Sequence, residues 1–231
     1  MQQAEHDAGL HVAGAAVRGA GALRELMHRR HGAPVYVLPI DETRERTMFF
    51  TRGSTLHSTI EYLEHALTPS AYTEVLARLS AADRAQLRDA AVTDDVPYSV
   101  ALNLWRSADV ALRTIDPLWA ERAGAEAIRV RGMKLYGGLL QKPTPLEFVT
   151  QHISLFQRYY RPGDMKVTER VAGRALARLV GFEPGDRLFC RRLTGGWRAA
   201  IEIAGGHSAQ VTHARCVMEG DLFCEWDIRW K

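Results

Sequence analysis

The chain is poor in cysteine, and what little it has is confined to one end. Its 231 residues hold three cysteines, Cys190, Cys216 and Cys224. An odd number this small argues against a disulfide framework and for a reducing, cytoplasmic location. Long apolar runs are missing. Nothing approaches the ~20 residues that a membrane span requires, so no span is expected. The opening MQQAEHDAGLHVAG has neither a basic start nor a long apolar block, and it does not read as a secretory signal. An excess of one charge is missing too. The 30 Lys and Arg nearly offset the 27 Asp and Glu, for a net charge of +3. The basic clusters Arg29-Arg30-His31, Arg44 to Arg52 and Arg187-Arg191-Arg192 lack the aromatic interleaving of a nucleic-acid reader. No nucleic-acid partner is expected. Phosphate-loop, Gly-x-Gly-x-x-Gly and Gly-x-Ser-x-Gly motifs are absent. No nucleophile, base and orienting group can be named together, so the chain reads as something other than an enzyme.

What is present suits a globular protein: 46% of residues are hydrophobic and 25% are charged. Two segments are expected. Residues 1–50 form an Ala- and Gly-rich N-terminal extension, with a helix over Ala15 to Arg30 and a short strand at Val35 to Leu38. Residues 51–231 form the main domain. Its first part has helical periodicity. Leu56, Ile60, Leu63 and Leu67 make one stripe, and Val100, Leu104, Ala108 and Ala111 make another. Ser54 or Thr55 is expected to cap the first helix, and Pro97 to open the later one. Ser80 and Asp83 resemble a capping arrangement, and Thr144-Pro145-Leu146-Glu147 is a full capping box. From Met165 the period changes from helical to alternating. Met165–Val171 and Arg174–Phe182 read as paired strands that reverse at Ala172-Gly173.

The stretch Leu188 to Trp230 is the most informative. Cys190, Leu193, Trp197 and Ile201 recur at helical spacing, so one helix spans Asp186–Ala204. Ala209–Val217 is a strand. Met218-Glu219-Gly220-Asp221 turns it into a second one, in which Leu222, Cys224, Trp226, Ile228 and Trp230 point one way. The fold class is therefore α+β, with N-terminal helices packed on a C-terminal antiparallel sheet in the order helices-β-β-α-β-β.

Cys190 on a helix, Gly195-Gly196-Trp197 after it, and a Cys-x7-Cys hairpin containing Gly220-Asp221 resemble the vinyl-reductase-type domain. This is the small-ligand-binding fold of aromatic-sensing bacterial transcription activators. Related folds occur in heme nitric-oxide sensors and in subunits of a vesicle-tethering transport particle. In the aromatic-sensing members a zinc ion is held by one helical Cys, two hairpin Cys and the Glu of a Glu-x-x-Cys. Here His213 takes the place of that Glu.

The resemblance implies a non-enzymatic sensor or regulatory domain. It would bind a small apolar molecule and form a homodimer through helices of the 97–140 region. A scaffold subunit with a closed pocket, acting on a protein partner, is the alternative, and a tetrapyrrole-related enzyme is a weaker one. Trp105, Phe156, Tyr159 and Trp197 are candidates to line the pocket, and the same aromatics would equally fill a core. Cys190, His213, Cys216 and Cys224 would complete a tetrahedral structural zinc site. Buried thiols acting as hydrophobes, or a Cys216–Cys224 disulfide, are the other readings. Strict alternation puts His213 opposite Asp227 and away from Cys216, so a bulge near Ala214 is needed to bring the two together. His152 is the one histidine expected at the pocket. Heme is disfavoured, because no Tyr-x-Ser-x-Arg occurs in the chain.

Overall fold

Helix α9, Arg187–Ile203, is the spine of the structure. Asp186 caps it: the Asp186 carboxylate accepts a hydrogen bond from the Leu188 amide at 3.0 Å. The helix ends at Ala204, so both boundaries are those expected from the sequence. A computed structural model describes residues 48–151 and 153–231, which fall within one unit, Arg46–Lys231. The expected N-terminal extension is therefore described only from residue 48. Its helix and strand, and His152, lie outside the described residues.

Before α9 come β1 (Phe50–Arg52), α1 (Gly53–Ala66), α2 (Pro69–Ala77), α3 (Ala81–Asp89), β2 (Asp95–Pro97) and α4 (Tyr98–Leu112). They are followed by α5 (Trp119–Ala127), α6 (Met133–Leu140), α7 (Pro145–Gln151), α8 (Ile153–Tyr159), β3 (Tyr160–Arg161), β4 (Asp164–Val171) and β5 (Arg174–Val180). After α9 come β6 (Gln210–Arg215) and β7 (Glu225–Arg229). The main sheet is antiparallel in the order β4-β5-β7-β6. This is the expected α+β plan.

A second, small antiparallel sheet, β2-β1-β3, was not expected. Strands of two or three residues are too short to show alternation. The start of α1 also differs from expectation. Arg52 is the cap residue, without a side-chain capping bond, and Ser54 and Thr55 lie inside the helix, buried. Loop carbonyls replace a cap here: the Gly53 and Ser54 amides donate to the Asp94 and Val92 carbonyls, each at 2.9 Å. The caps at Ser80 and Thr144 form as expected, accepting from the amides of Asp83 at 3.0 Å and Glu147 at 3.2 Å.

Two glycines set how closely the helices pack. A Cβ on Gly195 would sit 1.8 Å from the Glu121 carbonyl oxygen of α5, and one on Gly124 would sit 2.0 Å from the Arg192 carbonyl oxygen of α9. The α5 and α9 backbones therefore touch, which is possible only without side chains at these points. Beneath them an aromatic cluster fills the core. Tyr98 meets Trp105, Tyr160, Phe182 and Phe189 edge-on at 4.9–6.1 Å. Its hydroxyl donates to the Pro184 carbonyl at 2.8 Å, and burial pushes its pKa well up.

Candidate functional site

One cavity lies between α1, α5, α8 and α9 and the π-helical turn Ile128–Gly132 that joins α5 to α6. Its free volume is about 70 Å³. Ile128, Leu155, Phe156 and Trp197 give it apolar walls, and Gly196 leaves room on the α9 side. A π turn inside a helix run widens the backbone locally, and such turns are common at functional sites. This one contributes both Ile128 and Arg131 to the wall.

Of the residues expected to line a pocket, Phe156, Tyr159 and Trp197 do so. Trp105 lies behind the wall, fully buried, and its indole N–H donates to Thr59 Oγ1 at 3.1 Å.

The polar lining is unevenly satisfied. Arg131 is ion-paired to Glu61, with Nε to Oε2 at 2.9 Å. Tyr159 Oη and Ser54 Oγ are buried without a hydrogen bond. Burial of the Tyr159 phenol raises its pKa, so it is a neutral donor at physiological pH. Arg192 also lines the cavity; it is only 5% exposed, and its Nη1 is buried without a partner. Sequence reasoning missed Arg192, taking it as one of a surface cluster with Arg187 and Arg191. Those two are paired, with Glu219 and Glu121. Helical spacing would have separated them. Arg192 stands three residues after Phe189 and four before Gly196, on the inward stripe, whereas Arg191 lies a hundred degrees round the helix.

A second cluster joins α9 to the β6–β7 hairpin. The ligand atoms of Cys190, His213, Cys216 and Cys224 all lie within 4.8 Å of one another. Cys190 Sγ and Cys224 Sγ are 3.8 Å apart. The three thiols are free and buried. The β6–β7 ladder slips by one residue between His213 and Arg215, at Ala214. Arg215 faces Glu225, but His213 faces Trp226 and Thr212 faces Asp227. The unbulged pairing of His213 with Asp227 does not occur, because the extra residue turns His213 to the inner face with Trp226. Nε2 of His213 is buried without a hydrogen bond. A hydrogen bond shared by the Cys190 and Cys224 sulfurs pulls the Cys224 pKa down, and His213 lowers it further. The same bond, with burial, pushes Cys190 up. Leu222 departs from the expected alternation. It is 94% exposed, in the bend before β7, and inward-facing residues begin at Cys224.

This arrangement of helices around α9 and one four-stranded sheet is shared with known structures. The fold is that of the H-NOX domains. An H-NOX protein from S. oneidensis, in its Fe(II)NO ligation state, superposes with a TM-score of 0.62 at 13% identity, over 78% of this chain and 99% of that one. The Fe(II) unliganded H-NOX protein from K. algicida gives 0.60 at 12% identity, over 78% and 96%. An oxygen-binding H-NOX domain related to soluble guanylate cyclases gives 0.56 at 9% identity, over 78% and 95%. No family profile and no curated protein sequence matches the chain. The likeness thus falls on the heme nitric-oxide branch of the expected relatives.

The expectation against heme is corrected by these structures, which include a study of heme distortion in the H-NOX family. A contiguous motif covers only residues close in sequence. A cavity is built from side chains far apart in sequence, and Arg192, Tyr159 and Ser54 reach this one from three different elements.

Proposed function

We propose that this chain is a non-enzymatic sensor-type domain that holds a small, largely apolar molecule in the cavity between α1, α5, α8 and α9. The carrying observation is a free volume of about 70 Å³ in the core, walled by aromatics, where Tyr159 and Ser54 have hydroxyls with no partner. Native cores are filled to near crystal density and their polar atoms are bonded, so a site that breaks both rules is built for an occupant.

Heme is the first molecule to test, on the strength of the shared fold. The lining residues suit it chemically. Ile128, Leu155 and Phe156 would meet the apolar macrocycle and Arg131 or Arg192 its carboxylates, and the neutral Tyr159 hydroxyl would donate a hydrogen bond to the bound group. Bound there, heme would supply a site for a diatomic gas. The walls must part to admit a macrocycle, and the π turn next to α6, with its kink at Tyr136, is where they would yield. Titrating hemin into the purified protein and recording the visible spectrum tests this. A saturable 1:1 shift of the Soret band, lost in Phe156→Trp and Tyr159→Phe, supports heme in this cavity. Mass spectra of ligand extracted from the purified protein identify any other occupant.

The cysteine–histidine cluster is proposed as a structural zinc site. A tetrahedron with Zn–S bonds of about 2.3 Å has sulfur–sulfur edges of about 3.8 Å. The Cys190–Cys224 separation is 3.8 Å. Four protein ligands leave no open position, so the ion would staple α9 to the hairpin and take no part in chemistry. Such thiolates suit a reducing, cytoplasmic setting. No described helix is long and apolar enough to cross a membrane.

A homodimer through the 97–140 region is proposed on exposed apolar side chains. Ala101 and Ala108 of α4 are buried inside the chain. Apolar groups left outside include Val110, Ile115 and Leu118, at 51%, 71% and 53% exposure.

A further inference from the structure

Arg192 is a buried cation with no counter-ion among the described residues. Among the described residues no carboxylate pairs with its guanidinium, and Nη1 makes no hydrogen bond. Aromatic groups face it. The Trp105 ring lies 4.8 Å from Cζ, and the tyrosines Tyr98 and Tyr160 stand around it. Burial raises the pKa of both tyrosines, so neither supplies a negative charge at physiological pH. Guanidinium keeps its proton in proteins, so it cannot escape the penalty by neutralising. A buried charge without a partner is destabilising, and it persists where the surroundings hold it for another purpose. The contrast within the same wall is informative: Arg131 is paired with Glu61, whereas Arg192 meets no carboxylate among the described residues.

We propose that Arg192 is the anchor for a carboxylate on the molecule that the cavity holds. This rests on reading the cavity as a ligand site and adds the chemical class of its occupant: an apolar body bearing one acidic group. One unpaired guanidinium matches one negative charge, and its planar fork matches a carboxylate in two parallel hydrogen bonds. Tyr159 Oη and Ser54 Oγ, both unpartnered, line the same cavity and are further donors to the bound group. Trp105 holds the guanidinium in place from behind through its ring face. A neutral analogue would leave the buried cation unpaired, so the site selects against it by a large factor.

The test uses matched pairs of probes: benzoate, phenylacetate, indole-3-acetate and octanoate, each against its neutral primary amide. Binding to the whole chain is measured by calorimetry and followed by tryptophan fluorescence, since Trp105 reports on Arg192. At least one acid is expected to bind ten-fold or more tighter than its amide. In Arg192→Met that preference should disappear, while the melting temperature of the unliganded protein stays equal or rises. Arg192→Lys keeps the charge, and should keep part of the preference. If acid and amide bind alike in the unaltered protein, the carboxylate inference fails and the cavity reading stands. If the preference survives in Arg192→Met, Arg192 is not the anchor. If neither member of any pair binds, both readings fall.

Discussion

The His213 imidazole lies flat on the Trp226 indole, with ring centroids 4.5 Å apart and planes 19° from parallel. This stack is the direct product of the bulge at Ala214. One extra residue in β6 changes the partner of His213 from Asp227 to Trp226 and turns its ring toward the three cysteines. The purified protein is expected to carry one equivalent of zinc, and Co²⁺ put in its place should show the charge-transfer bands of thiolate ligation. His213→Ala should weaken metal retention, and Cys224→Ser should abolish it. Chelation should lower the melting temperature without unfolding the chain, because a domain of this size has a core of its own. Protein isolated without metal, and unable to take up Co²⁺, would dispose of the site.

The neighbouring glycines of α9 should respond in opposite ways. Gly195→Ala drives a methyl group into the Glu121 carbonyl and forces α5 from α9. A loss of roughly 1–3 kcal/mol, the range for overpacking, is expected in denaturant unfolding. Gly196→Ala meets Ile128 Cγ1 at 3.5 Å and the Gly124 carbonyl oxygen at 3.7 Å, both ordinary contacts. It should be neutral, or stabilising by up to about 1 kcal/mol through helix propensity. It also narrows the cavity, so hemin or carboxylate binding should weaken while the fold is kept.

Asp227 should make part of the stability depend on pH. Hydrogen bonds from Arg229 and Arg174 hold its carboxyl below the usual carboxylate range. A depressed folded-state pKa adds stability that is present above the unfolded value of about 3.9 and is lost as pH falls through the folded value. Asp227→Asn should therefore lower stability at pH 7 and make no difference once the pH is below the folded pKa. The effect should stay under about 1 kcal/mol, because such partly exposed pairs are screened by solvent. A penalty for Asp227→Asn that persists unchanged at pH 2.5 would mean the charge is not its source.

Sedimentation tests the dimer. At micromolar concentration the chain should run near twice its 25.8 kDa. Ile115→Glu combined with Leu118→Glu should return it to the monomer, since charges on a dry apolar interface are costly. A monomer in the unaltered protein would remove the proposal.

Elements with a strong local period were legible in the residues. The boundaries of α9 follow from the Asp186 cap and the Cys190, Trp197, Ile201 stripe. The β4–β5 hairpin follows from its alternation and from Gly173, which turns at φ 76°. The helical run from Leu118 to Leu140, with glycines at 124, 132, 137 and 138 that favour a break or bend, is interrupted by the π turn Ile128–Gly132. The three-residue strands β1 and β2 gave no signal, because so short a segment completes barely one alternation.

By itself, then, the sequence determined the α+β order, the caps at Ser80 and Thr144, and the gathering of three cysteines and a histidine into one helix and one hairpin. Those features depend on neighbours two to four residues apart, where propensity and periodicity act. Only the tertiary structure decided the register slip at Ala214, the exposure of Leu222 and the isolation of Arg192 in the cavity wall. Each of these depends on what lies across the chain. A bulge is chosen by the partner strand, and an arginine is left unpaired only when no carboxylate from α1, α4, α5 or α8 arrives beside it. Arg191, one residue earlier on the same helix, meets Glu121 and is an ordinary ion pair.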